Sequence, residues 1–517
     1  MNNKMKFPLK TLLSGGNKKA ILGLSIGLAL SGCTLGPDFK SPPPPAQTIT
    51  TPPEAYSYTA TVLDKQSEAS DGNAASAQKL VVAQDIPAQW WQVFHSPELD
   101  ALIRSALEQS PDLASAQAAL RQANENYTAV SGNVLYPNVT ANLGVARQKL
   151  GAIQTGLPNG ELFTLYNASV NVSYTLDLFG ANKRELESLQ ATVEYQRFQT
   201  EAAYLTLISN LVTTAIKEAS LRAQILATED VLQFQNKQLD VIEHQFTAGA
   251  IPKASLLSQR TLLAQTRATL PGLEKSLQQT RNQLAVFAGR LPSDADLPVF
   301  HLESLTLPAE LPVSIPSALV RQRPDVRANE ALLHQASALV GVATANQFPQ
   351  ISLTASYGSL SPHFNGLTQQ QWSFWSLAGN VAQPIYDAGA LSAKKRASVA
   401  AYDQAEARYR STVLSAFQSV ADSLQALDSD AKALKQQIEV EADAKQTLDL
   451  TTQQYKLGAV SSLTLLDAKR TYESAKINLV QAQAARYADT AALFQSLGGG
   501  WWNRPELKDI SAKKSAQ

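Results

Sequence analysis

The sequence predicts a mainly α-helical chain that also carries a few membrane-crossing β-strands. Three observations predict it. Two stretches, from about Ala181 to Phe246 and from about Ala390 to Tyr455, hold no proline and keep a helix-forming composition. Three shorter stretches alternate apolar with small polar residues at the two-residue period of a strand, and a fourth, WSFWSLAGNVAQPI, does so less regularly. The chain is also written twice, at a spacing of about 210 residues.

From the N-terminus, residues 1–32 read as an export signal. Lys4, Lys6, Lys10, Lys18 and Lys19 make a basic start, and Ala20 to Leu30 is an apolar run too short to span a bilayer as a helix. Leu30-Ser31-Gly32-Cys33 places small residues before the only cysteine in 517 residues. This segment resembles the lipobox of bacterial lipoproteins, which implies cleavage before Cys33 and acylation of its thiol and new amine. Several acyl chains make a stable anchor where one is marginal. A thiol committed to lipid leaves no disulfide within the chain. Thr34 after the cysteine implies, by the same resemblance, export to the outer membrane. Residues 33–85, with a proline run at 42–45, read as a lipidated, weakly ordered linker. Regular structure is expected from Asp85 onward.

Three matches in register carry the duplication. PDLASAQAAL (111–120) matches PDVRANEALL (324–333), YPNVTANLGV (136–145) matches FPQISLTASY (348–357), and QFTAGAIPKASLL (245–257) matches QYKLGAVSSLTLL (454–466). The expected organisation is a first repeat over 86–289, a proline-rich link over 290–314, a second repeat over 315–500 and a tail over 501–517. Each repeat offers two strands. The cleanest runs from Ala168 to Asp177, with Ala168, Val170, Val172, Tyr174 and Leu176 on one face and Ser169, Asn171, Ser173 and Thr175 on the other. Segments of about ten residues with these faces suit either a sheet half-buried on helices or a barrel wall between lipid and water. Trp372, Phe374, Trp375, Tyr136 and Phe348 stand near strand ends, where interfacial aromatics gather. Stretches 151–165 and 361–371 read as polar loops.

In the second long helix Val413, Phe417, Val420, Leu424, Leu427, Ala431, Leu434 and Ile438 step alternately by four and three, a heptad seam. Gly249 and Gly458 follow the long helices as stop signals, and a return helix follows each. Four strands cannot close a spanning barrel, which needs about eight, and an open edge in lipid leaves backbone groups unpaired. Either the strands do not span or several chains share one barrel.

Composition excludes other classes. The first 32 residues take five lysines and no acid, so 44 basic and 44 acidic residues become 39 and 44, a net charge of −5. That balance argues against nucleic acid as a partner. No nucleotide-binding glycine loop is present, the five histidines are scattered without metal-ligand spacing, and both methionines lie in the signal segment. The chain is read as no enzyme, with no metal and no cofactor beyond the covalent lipid on Cys33.

CTLGPDF (33–39), WWQVF (90–94), LDLFG (176–180), RQRPDVR (321–327), QPIYDAG (383–389), YKLGAVSSLTLLDAKR (455–470) and LGGGW (497–501) resemble the TolC-like outer-membrane factors. The closer likeness is to their acylated, NodT-type efflux lipoproteins. The resemblance implies a homotrimer in which each chain gives four strands to a twelve-stranded outer-membrane barrel. The long helical hairpins would form a periplasmic α-barrel. Implied partners are a periplasmic membrane-fusion adaptor, a proton-driven inner-membrane pump of the resistance-nodulation-division type, and outer-membrane lipid. The implied function is passive exit of small toxic compounds or drugs. The alternatives are the duct of a type I protein secretion system and a lipoprotein stalk without a pore. Carried over residue by residue, the periplasmic gate falls on Leu463 and Asp467. Three copies of Asp467 would form an acidic ring; otherwise Asp467 is a solvated partner of Lys469 or Arg470. Ser258 stands at the matching place in the first repeat. Adaptor docking falls on Gly249 and Ala250, and on Gly458 and Ala459. RQRPDVR reads as structural: Pro324 opens a helix, and Arg323 and Asp325 pair beside it.

Overall fold

The computed structural model describes residues 34–43, 78–82, 84–151, 161–293, 296–313 and 320–504. Proline-free, helix-forming sequence runs as two 67-residue helices, α3 (Ala181–Thr247) and α6 (Ala390–Lys456). Each is followed by a 35-residue return helix, α4 (Lys253–Phe287) and α7 (Ser462–Ser496). Ahead of them stand α1 (Pro97–Gln109), α2 (Pro111–Leu135) and α5 (Pro324–Ala345). The strands are β1 (Lys79–Val82), β2 (Asn138–Leu150), β3 (Glu161–Leu176), β4 (Glu310–Val313), β5 (Gln350–Ser361) and β6 (Ser373–Ala382). Both halves thus run helix, two strands, long helix, return helix, with equal lengths in the two helical hairpins.

The chain forms two compact units. The first takes the described residues within 1–40, 125–191 and 333–404. Its centre is an antiparallel sheet in the order β2-β3-β5-β6, so the two halves of the chain meet at the β3–β5 pairing. The strands are 10 to 16 residues long, and β3 starts at Glu161, inside the stretch expected to be loop. In this sheet β2 and β6 are the edges.

The second unit takes the described residues within 41–124, 192–332 and 405–517. WWQVF forms a 3₁₀ turn whose Trp90, Trp91 and Phe94 are buried with Ile103, Leu211, Leu284, Phe300, Tyr487 and Phe494. Trp90 stacks on Phe494 at 5.4 Å between ring centroids. Each large apolar side chain removed from water here contributes about 1.5–3 kcal/mol. The heptad seam joins this core: Val420, Leu424, Leu427 and Leu434 are buried in it, and Phe417 and Ile438 pack against it.

The spans 33–85 and 290–314, read as linkers, each contain a strand, and β1 pairs in parallel with β4 from Lys79–Glu310 to Val82–Val313. KLVV and ELPV are too short to display a period, and Pro312 speaks against a strand. A two-stranded ribbon accepts it, because an edge leaves some N–H groups unused. RQRPDVR matches expectation: α5 opens at Pro324, and the Arg323 guanidinium pairs with Asp325 at 2.7 Å.

Candidate functional site

In the first unit, strand register sorts the sheet into two faces. Cross-strand rows on one face read Ala141–Val170–Tyr357–Trp375 and Val139–Val172–Ala355–Leu377. Rows on the other read Thr140–Asn171–Ser356–Ser376, Asn138–Ser173–Thr354–Ala378 and, over three strands, Thr175–Ser352–Asn380. In these rows the alternation seen in single strands carries across the sheet, because antiparallel partners point the same way. The apolar face stays exposed at Val139, Leu143, Tyr357, Trp375 and Leu377, so among the described residues no helix covers it. The polar rows carry no charge, and the Ser356 and Ser376 hydroxyls bond each other at 2.7 Å. A sheet with bare apolar and uncharged polar faces separates lipid from water, as a channel wall does.

Both helical hairpins in the second unit turn by the same device. Gly249 and Gly458 each adopt φ +74°, a left-handed conformation that costs a glycine little. The Gly249 and Ala250 amides donate to the Phe246 and Gln245 carbonyls, and the Gly458 and Ala459 amides to those of Tyr455 and Gln454. These paired bonds satisfy the last carbonyls of each long helix. All four of these turn residues are exposed. The Tyr455 hydroxyl donates to Gln245 Oε1 at 2.8 Å, tying the two turns together.

Beyond the second turn, the Ser461 hydroxyl caps α7 by accepting from the Thr464 amide. Leu463 is 61% exposed, and Asp467, one helical turn on, is also exposed. Among the described residues no ion pair joins Asp467 to Lys469 or Arg470. Helix phase accounts for Lys469: two residues correspond to about 200° around the axis, so it lies opposite Asp467. Leu457, 84% exposed, adds a second apolar side chain at this turn that the sequence reading did not single out.

The structure also shows buried charge that sequence reasoning missed. Lys469 is 1% exposed, its Nζ lies 4.8 Å from the centroid of the Phe234 ring, and among the described residues it finds no hydrogen-bond acceptor. Burial pushes this amine down to about 8, against the opposing pull of Glu473. Gln235 donates to Glu473 at 2.7 Å, yet burial dominates and holds that carboxyl above its usual range. Phe234, Leu448, Lys469 and Glu473 help line a cavity of about 260 Å³. Farther along the same helices, burial and then the neighbouring Asp489 push Asp430 up to about 7. Helix phase was the signal available for Lys469: it falls on the side of Leu465 and Ala468, both buried.

Cys33 lies outside the described residues. From Thr34 onward the chain runs along the first unit, where the Leu35 amide donates to the Phe179 carbonyl at 3.2 Å. Among the described residues no helix is long and apolar enough to cross a membrane, and no metal-holding cluster of His, Cys, Asp or Glu occurs.

A family model described as outer membrane efflux protein matches residues 102–290 and 315–499. The chain is 32% identical over 424 residues to the pyoverdine export outer membrane protein OpmQ of Pseudomonas aeruginosa, covering 80% of this chain and 87% of that one. It is 29% identical over 496 residues to the toluene efflux pump outer membrane protein TtgC of Pseudomonas putida, covering 94% and 96%. Among solved structures, the outer-membrane channel OprN superposes with a TM-score of 0.79 at 26% identity, over 91% of this chain and 100% of that one. The Neisseria gonorrhoeae MtrE channel in its open state gives 0.75 at 27% identity, over 91% and 99%.

Proposed function

The chain belongs to the outer membrane efflux protein family, and we propose on that premise that three copies share one barrel and work as a gated, lipid-anchored exit duct. It is the outer-membrane channel component of a tripartite efflux system, seated in the outer membrane with a helical extension into the periplasm. An inner-membrane pump and a periplasmic adaptor are the implied partners. The pump is read as proton-driven, of the resistance-nodulation-division type, and the chain itself as catalysing no reaction. Relatives carry pyoverdine, toluene and antibiotics in their names, so the cargo is read as small organic compounds chosen by the pump.

The observation that carries the reading is the four-stranded sheet with two unlike faces and edges at β2 and β6. In hydrocarbon an unpaired strand edge costs several kcal/mol per orphaned group. An antiparallel pairing of β6 with β2 of the next copy satisfies both edges and closes twelve strands. The polar rows then face the lumen and the apolar rows face lipid. At the periplasmic end, three copies of Leu463 form an apolar constriction and three of Asp467 an acidic ring. The turns at Gly249–Ala250 and Gly458–Ala459 dock the adaptor, and acylated Cys33 adds a second hold on the membrane.

Purified full-length protein in a planar bilayer tests the duct. Discrete single-channel steps with weak cation preference are expected. Membrane association without conductance, even when Leu463 and Asp467 are replaced by alanine, would leave a tethered stalk and no pore.

A further inference from the structure

The segment following Cys33 lies in a built groove of the first unit. Arg184, 3% exposed, spends its guanidinium on that segment and its neighbours. Its Nε donates to the Leu35 carbonyl at 3.3 Å, one terminal nitrogen to the Gly36 carbonyl at 3.3 Å and to Asp38 at 2.6 Å, and the other to Glu187 at 2.7 Å. Glu187 Oε1 meets His334 Nε2 at 2.9 Å, and the His334 ring stacks on Phe39 at 4.3 Å. Gly36, at φ +96°, lies so close to the Gly341 backbone that a Cβ would overlap it; a Cβ on Gly180 would overlap Thr34.

A buried arginine whose bonds converge on two consecutive carbonyls and a carboxylate is specific for one backbone path. The strap meets the sheet at Gly180, four residues past the end of β3. Peptide continuity makes Cys33 the residue before Thr34. With the strap docked, the tether of an acyl group on Cys33 is a single residue.

We propose that the Arg184 groove is a docking site for residues 34–39 that registers the acylated N-terminus at the foot of the β-sheet, so that the lipid and the sheet enter the membrane together. This rests on the reading of Cys33 as the acylated residue. Arg184 is here a positioning residue, and its effect on assembly passes through the lipid. Holding the anchor beside β3 raises its effective concentration at the place where the strands insert.

The test uses strap variants, which leave the helices intact. Gly36→Ala combined with Asp38→Ala is expressed in the full chain, and again with residues 1–33 exchanged for a cleavable, non-acylated export signal. Palmitate labelling reads acylation, trypsin cleavage after the exposed Lys40 reads docking, and the yield of heat-resistant oligomer reads assembly. The variant is expected to keep the label and to be cut at least about tenfold faster, the factor carried by losing one charge-assisted hydrogen bond. Oligomer yield is expected to fall several-fold with the strap variant or with the exchanged signal, and no further with both. Arg184→Ala should reproduce this pattern. Unchanged cleavage, or losses that multiply in the double variant, overturns the proposal while leaving acylation standing. Absence of label in the unmodified chain overturns the acylation reading and this proposal with it.

Discussion

The two hairpin turns share a backbone and differ in chemistry. Both long helices have 67 residues, both return helices 35, and both turns close on a glycine at φ +74° with the same pair of amide bonds. In the register of the sequence match, Leu256 and Leu465 are both buried. Around that frame the copies part. Ala248, Ala254 and Ser258 of the first turn stand opposite Leu457, Leu463 and Asp467 of the second. Arg260 reaches out to Glu243 at 2.7 Å, while its counterpart Lys469 turns inward over Phe234. Positions that hold the fold agree between the copies. Positions free to differ concentrate apolar and acidic groups at one turn, so a gate built there would repeat once per chain, not twice.

The sharpest way to break this contrast is by conductance. Leu463→Ala with Asp467→Ala is expected to raise single-channel conductance in a planar bilayer many-fold, while Ser258→Ala leaves it unchanged. An equal response from both turns would dissolve the distinction.

A second expectation concerns the inward lysine. Its folded pKa, about 8, lies below the ordinary 10.5, so the neutral form is favoured on folding. That contribution is present above 10.5 and is lost as pH falls through 8. Lys469→Met should therefore stabilise the protein at pH 7 by on the order of 3 kcal/mol per copy in denaturant titrations, and should flatten the rise between pH 8 and 10. Replacing Arg260 should show no such pH profile.

Asp430 has the opposite sign and a smaller expected effect, because it is only half buried. Its folded pKa of about 7 lies above the ordinary 3.8. The stability it brings is full below 3.8 and is lost as pH rises through 7. Asp430→Asn should remove this decline between pH 4 and 7 from the thermal unfolding midpoint. The smallest change is expected at the exposed pair of the first turn, where Arg260→Ala should cost no more than about 1 kcal/mol.

Much of this was legible from residue order. The long helices and their glycine stops follow from missing prolines and a heptad seam; period-two alternation marked three strands of the sheet, and the less regular WSFWSLAGNVAQPI holds the fourth. β1 and β4 were not legible, since four residues show no period and their pairing partner lies over 200 residues away. Within LLDAKR, Asp467 could be placed at the turn, but Lys469 read as one more solvated charge, although helix phase sets it on the side of Leu465 and Ala468. Arg184 was equally opaque, because its role depends on a strap about 150 positions earlier folding back onto it.

The central claim is that one chain brings too little sheet to seal a hole in lipid and that identical copies complete it. The mass of the detergent-extracted particle, measured by light scattering with the detergent contribution removed, tests this most directly. Three copies per particle is the result expected; a stable single copy that keeps its β-sheet would contradict it.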